Sequence, residues 1–161
     1  MFVWIYRISG KPVPRHAHYP LSLILWKPLR KFLNVVVIPN LPFSKLRILL
    51  YRSIGYKIGK NVFIGMKCYL DDMEPQLISI GDDVTISYCV KFCIHGKNQS
   101  HTPLIIKSGT YIGMGALLVS GKTGITIGEN SIVGAGSVVV QSLPSHSVAV
   151  GVPATVIRSN K

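Results

Sequence analysis

The chain has 161 residues, 48% of them apolar, with a formal net charge of +12. That length and composition fit one domain with a sizeable core and exclude a disordered chain. No apolar run nears the roughly 18 residues a membrane span needs, and no helix-turn-helix, zinc-finger or RNA-binding signature points to nucleic acid.

The charge is uneven. Residues 1–70 hold twelve Lys or Arg and no acid, and all six acids lie between Asp71 and Glu129. The basic character therefore belongs to one segment, which could face anionic lipid, an acidic polymer or acidic patches of its own oligomer. Lys and Arg interrupt each apolar stretch near the start, so no secretory signal is read. The expected place is the cytoplasm, with peripheral contact at the inner face of the membrane. Cys68, Cys89 and Cys93 form no CxxC pair. They read as reduced, buried thiols, and no metal is expected from them.

Residues 1–43 are rich in Pro and aromatics and show no period. They are expected to wrap one end of the fold and cover its first coil, as part of a basic N-terminal cap over residues 1–56. Inside that cap, "FSKLRILLYRSIG" reads as an amphipathic helix over about 44–54, capped by Ser44 and ended by Gly55. His16 and His18 form an HxH pair without a partner, and a plain loop reading suits them.

From residue 58 an apolar residue returns every six positions: Ile58, Ile64, Leu70; Ile80, Ile86, Phe92; Ile106, Ile112, Leu118; Ile127, Val133, Val139. Gly follows six of these anchors, at 59, 65, 81, 113, 128 and 134. The period is neither helical nor that of an alternating strand. It reads as one face of a triangular parallel β-helix, with three faces per coil of about 18 residues. The anchors point inward and stack, and small residues let the backbone turn each corner. The predicted fold is all-β, a hexapeptide-repeat β-helix over residues 57–158 with a short helical or irregular cap. Successive coils start at 58, 80, 106 and 127, so the second coil carries the longest insertion. That insertion begins near His95, in "FCIHGKNQSH", and a loop thrown out by a rigid scaffold is a usual place for function.

"IGDDVTISYCVKFCIH" and "IGENSIVGAGSVVVQSLPSHSVAVGVPATVIR" resemble the hexapeptide-repeat acyltransferases of the left-handed β-helix class, which include galactoside, maltose, serine and nodulation-sugar O-acetyltransferases. The resemblance covers about residues 57–158, and "GAGSVV" followed by Pro and "GVPA" is its most specific part. It implies a homotrimer, acetyl-CoA as acyl donor in the groove between neighbouring β-helices, and a carbohydrate acceptor such as a surface-polysaccharide precursor. By position His95 matches the family's general base, and Tyr111 a position often aromatic near the acceptor or acetyl group. The resemblance carries the donor past Met114, Gly115, Ala135, Val140 and Gln141 toward Arg158. Two departures stand out. Val140-Gln141 replaces a polar pair that often includes a cation, and Lys122 in a lengthened turn could replace that cation.

The chemistry suits the residues. A hydroxyl attacking a thioester must lose its proton, and an imidazole with a pKa of about 6.5 accepts one at neutral pH. The amides of Gly113 and Gly115 are expected to stay approachable and hold the oxyanion. Asp71 and Asp72, with Asn98 and Ser100, are expected near the acceptor; one of the acids could instead orient the imidazole. Cys93 sits in an apolar run and reads as inert rather than nucleophilic. His95 and His101 could suggest zinc, but the third histidine is missing, since His146 lies far along the repeat. The rival reading is a noncatalytic β-helix scaffold that binds a membrane or partner through its basic end.

Overall fold

A computed structural model describes residues 21–96 and 100–160. His16, His18 and Asn98 lie outside the described residues.

The six-residue period becomes three stacked parallel sheets. One holds β1 (Lys57–Ile58), β3 (Ile78–Ile80), β6 (Leu104–Ile106) and β9 (Ile125–Ile127). The second holds β2 (Phe63–Ile64), β4 (Thr85–Ile86), β7 (Tyr111–Ile112) and β10 (Ile132–Val133). The third holds β5 (Lys91–Cys93), β8 (Leu117–Val119) and β11 (Val138–Val139). Anchor pairs with anchor throughout: Ile58 with Ile80, Ile80 with Ile106, Ile106 with Ile127. The same holds for Ile64, Ile86, Ile112 and Val133, and for Phe92, Leu118 and Val139. All but Ile58 are buried, and Ile58 packs against the core from its edge. Each such side chain contributes about 1.5–3 kcal/mol by leaving water. Strands of two or three residues persist only because this core stacks from coil to coil.

The corners use two backbone devices. Lys67, Cys89, Gly115 and Gly136 form a column of left-handed turns at one corner, although two of them carry a Cβ. The glycines that follow the anchors serve another purpose. A Cβ on Gly113 would lie 2.5 Å from the Ala135 amide nitrogen, so it is close approach of coils that demands glycine there.

The cap is more helical than its sequence suggests. Helix α1 (Leu21–Phe32) runs on through a wide turn at Leu33–Val37 and a tight one at Ile38–Asn40, and α2 spans Ser44–Ser53. Of the two forms expected for the cap, residues 21–40 take the helical one; Pro28 inside α1 is the breaker that hides the helix from a sequence reading. Ser44 does not cap α2. It lies within the helix, Phe43 holds the cap position, and no side chain caps it. Gly55 does take a positive φ of 113° just beyond the end.

What the cap does is chemical. Each coil donates its N–H groups to carbonyls of the next, as Gly59 does to Ile80 and Gly65 to Ile86. The first coil therefore presents the carbonyls of Ile58, Ile64 and Leu70 with no coil above them. The cap supplies donors to each. Arg52 Nε donates to Ile58 at 3.1 Å, buried Arg47 donates to Ile64 through Nε and Nη2, and Asn34 Nδ2 donates to Leu70 at 2.6 Å. An exposed sheet edge is thereby closed by side chains rather than by strands. The far end is closed by backbone. There β12 (Ser147–Gly151) pairs parallel with β10, and β13 (Ala154–Ser159) folds back antiparallel on β12.

Candidate active site

The two longest insertions leave the solenoid at the same corner, in adjacent coils. Tyr69 and Lys91 are bridge partners there, so the residues after them stack. That stacking brings Asp71 against His95. The Asp71 carboxylate Oδ2 accepts from His95 Nδ1 at 2.5 Å and from the Ile94 amide at 2.9 Å. Its Oδ1 accepts from the Met73 amide at 3.1 Å. The Asp71 side chain is 0% exposed and that of His95 49%. The pair therefore has a hidden, fixed partner and an open, working one. With Nδ1–H bound to the carboxylate, the tautomer leaves Nε2 with its lone pair. Asp71 has no surface for an acceptor. It holds the imidazole, the other of the two roles open to the acidic pair.

His95 and His101 are antiparallel bridge partners. The Gly96 amide donates to the Ser100 carbonyl at 2.9 Å, and the Thr102 amide to Ile94 at 3.1 Å. Nε2 of His101 is buried with no partner among the described residues.

His95 opens on a cleft of about 270 Å³ lined by Lys31, Tyr69, Asp72, Met73 and itself. A second cleft of about 340 Å³ adjoins it and shares Lys31, Asp72 and Met73, with Lys27, Pro28 and Arg30 from α1. Asp72 thus does line the space beside His95. The Tyr69 hydroxyl donates to its carboxylate at 3.3 Å, and Arg30 Nη2 donates to its carbonyl at 2.8 Å. Burial, then the charges of Asp72 and Asp71, push the Tyr69 phenol well above its ordinary value, so it stays a donor. Lys31 and Tyr69 were not foreseen. Tyr69 had one signal, its place beside the anchor Leu70; Lys31 had none, because nothing in the sequence ties α1 to this corner.

Asp71, Cys93 and His95 bring three potential metal-ligand atoms within 4.8 Å of one another. The donor set fits a metal ion poorly. Asp71 Oδ2 is already taken by two donors, and burial, with the Asp71 charge next, pushes the Cys93 thiol up and away from the thiolate a metal needs. The same shift argues against Cys93 as a nucleophile. Cys68 is pushed up to about 11, chiefly by burial.

The residues assigned to the donor fall into two groups on one chain. Tyr111, Ile132, Val148 and Arg158 are successive register partners in one sheet, and exposed Met114, Gly115 and Ala135 stand at the corner beside it. Val140 and Gln141 are exposed at the far end of the third sheet, on the corner of His95. Lys122 lies exposed in the turn between β8 and β9. The amides of Gly113 and Gly115 are not approachable. They donate to Val133 at 2.8 Å and to Tyr88 at 2.9 Å, because both belong to the ladder between coils.

The sequence pattern described as the hexapeptide repeat of succinyl-transferase matches residues 56–87 and 103–141. A galactoside O-acetyltransferase of Escherichia coli is 32% identical over 119 residues, which cover 65% of this chain and 57% of that enzyme. The chain thus spans little more than half the length of that curated relative. A hexapeptide-repeat acetyltransferase of Vibrio cholerae, solved in complex with acetyl coenzyme A, superposes with a TM-score of 0.71 at 25% identity, covering 100% of both chains. A maltose O-acetyltransferase of Clostridium difficile gives 0.71 at 24% identity over 100% of this chain and 98% of that one, which speaks to the fold. In sequence and in fold, the chain resembles the hexapeptide-repeat acyltransferases.

Proposed function

We propose that the chain is an acetyl-CoA-dependent O-acetyltransferase acting on a hydroxyl of a sugar or surface-polysaccharide precursor. The observation that carries this reading is the pairing of wholly buried Asp71 with half-exposed His95 at the mouth of the cleft. The Vibrio cholerae relative bound to acetyl coenzyme A supports the donor. A noncatalytic scaffold has no use for a buried carboxylate aimed at an open imidazole.

In this mechanism His95 Nε2 takes the proton of the acceptor hydroxyl as its oxygen attacks the thioester carbonyl. The tetrahedral adduct collapses, the carbon–sulfur bond breaks, and the imidazolium returns its proton to the CoA sulfur. Ester and free CoA result, with no covalent enzyme intermediate. Asp71 keeps Nδ1 protonated and steadies the imidazolium while it exists. Asp72 and the Tyr69 hydroxyl offer an acceptor and a donor for the sugar's other hydroxyls, and Asn98 is kept as an acceptor contact from the loop.

We further propose a homotrimer. His95 and the Met114–Ala135 corner lie at opposite ends of the third sheet. Their separation supports a site that pairs His95 of one copy with the donor groove of the next, Tyr111 to Arg158. Peripheral contact with the inner membrane face completes the reading, and the surface that makes it is argued below.

The test is calorimetry with acetyl-CoA, followed by a free-thiol assay over a panel of sugars. Binding in the micromolar range, weakened by Arg158→Ala, with turnover lost in His95→Ala, is the expected result. No binding to the folded oligomer sinks the enzyme reading.

A further inference from the structure

Helix α1 is amphipathic the wrong way round. A helix on a soluble protein packs its apolar stripe inward and shows its polar side to water. Here Leu25, Leu29 and Phe32 follow the i, i+4, i+7 spacing, Val36 continues the stripe, and they are 64%, 49%, 55% and 49% exposed. Trp26 is exposed beside them. The side turned to the protein holds polar contacts beside Leu33, which packs on the core: Arg30 donates to the Asp72 carbonyl and buried Asn34 to Leu70. Phe43, Leu46 and Leu49 add exposed apolar surface on α2 and its approach. An apolar face this continuous marks an interaction surface.

Charge decides what covers it. Lys27 and Lys31 flank the stripe, and residues 1–70 hold twelve cations and no acid. Three of those cations bond within the fold, Arg47 and Arg52 at the carbonyl edge and Arg30 at the Asp72 carbonyl. The same segment's first twenty residues add Phe2, Trp4 and Tyr6 to Arg7, Lys11 and Arg15. A two-fold contact with a second copy would set these cations against their own images. An anionic bilayer answers both features: its acyl boundary takes the apolar stripe, and its headgroups take Lys and Arg. No described helix is long and apolar enough to cross a membrane, so the helix would lie in the interface.

We propose that α1 is an interfacial anchor whose Leu25–Leu29–Phe32–Val36 stripe seats in an anionic bilayer, so that the cleft beside His95 meets a lipid-linked carbohydrate acceptor at the membrane surface. The placement of the cleft follows from α1 itself, because Lys31 lines the cleft of His95, and Lys27, Pro28 and Arg30 line the one that adjoins it. The anchor stands on α1 alone; the lipid-linked acceptor rests on the acyl-transfer reading above.

The experiment is flotation of the full chain with phosphatidylcholine vesicles, with and without phosphatidylglycerol, at low and high salt. The chain should float with the anionic vesicles, and added salt should release it. Leu29→Glu/Phe32→Glu should weaken binding by about tenfold or more. That variant should keep its oligomeric mass and its acetyl-CoA binding, which shows that it still folds. Equal flotation of wild type and variant, or none by wild type on anionic vesicles, overturns the anchor. A change of oligomeric mass in the variant also overturns it, since the stripe then belongs to a second copy. Flotation without any acetyl-CoA binding keeps the anchor and removes the acyl-transfer reading.

Discussion

Two corners of one triangular solenoid do different work. At the first, Met66–Lys67, Tyr88–Cys89, Met114–Gly115 and Ala135–Gly136 repeat the same turn, each linked to the next by an amide-to-carbonyl bond such as Gly136 to Met114 at 2.8 Å. At the second, the chain bulges out in the first two coils, after Leu70 and after Ile94. The regular corner spends these amides on the neighbouring coil and offers the proposed donor groove a fixed wall. The interrupted corner leaves the ladder, and a carboxylate from one coil is free to meet an imidazole from the next. Regularity makes the frame rigid, and the Asp71–His95 pair sits where regularity is broken.

The strongest way to break that contrast is His95→Gln. Loss of a general base should lower kcat by about 10²–10⁴-fold while acetyl-CoA calorimetry stays unchanged. Retained turnover would remove the interrupted corner from the chemistry. Asp71→Asn comes next. It turns an amide NH₂ or a weaker acceptor toward His95 and two backbone amides, so kcat should fall by about 10²-fold. Because Ile94 and Met73 also donate to this carboxylate, the melting temperature should drop as well. A stability loss with kcat intact would make Asp71 a loop fastener and nothing more.

The frame was far more legible than the pair. Twelve anchors at a spacing of six can be read from the chain because burial of each is dictated by its neighbours above and below. The longest insertion, and with it His95, followed from counting residues between coils. The Asp71 partnership was one of two roles open to the acidic pair and could not be chosen from sequence, since it depends on which insertion stacks on which, and an acid in a loop looks solvated until its burial is known. The Gly113 and Gly115 amides were misjudged for a related reason. Small size suggested access, whereas the inter-coil ladder consumes both. Helix α1 was missed because Pro28 and an outward apolar face contradict the signals by which surface helices are found.

Substitutions at the regular corner should show first in stability. Gly113→Ala places a Cβ 2.5 Å from the Ala135 nitrogen, with backbone on the facing side that cannot step aside. We expect a loss of about 2–3 kcal/mol in urea unfolding. Gly115→Ala meets nothing within 4 Å, but Gly115 sits at φ +69°, so about 1 kcal/mol is expected. Equal costs would mean that coil spacing is softer than the ladder implies.

The smallest effect belongs to Cys93→Ser. Cys93 lies two residues from His95, close enough for an acyl-thioester route to be imagined, and its Sγ donates weakly to the His95 carbonyl at 3.5 Å. Burial and the nearby Asp71 carboxylate both hold it as the neutral thiol, which is a poor nucleophile. In the proposed mechanism the base at this corner activates the acceptor hydroxyl directly, so kcat of Cys93→Ser should stay within about twofold of wild type. Quench-flow with labelled acetyl-CoA gives the sharper reading, because direct transfer leaves no label on the protein. A labelled protein, together with a Cys93→Ser defect as deep as that of His95→Gln, would move the bond-making step from the acceptor oxygen to this sulfur.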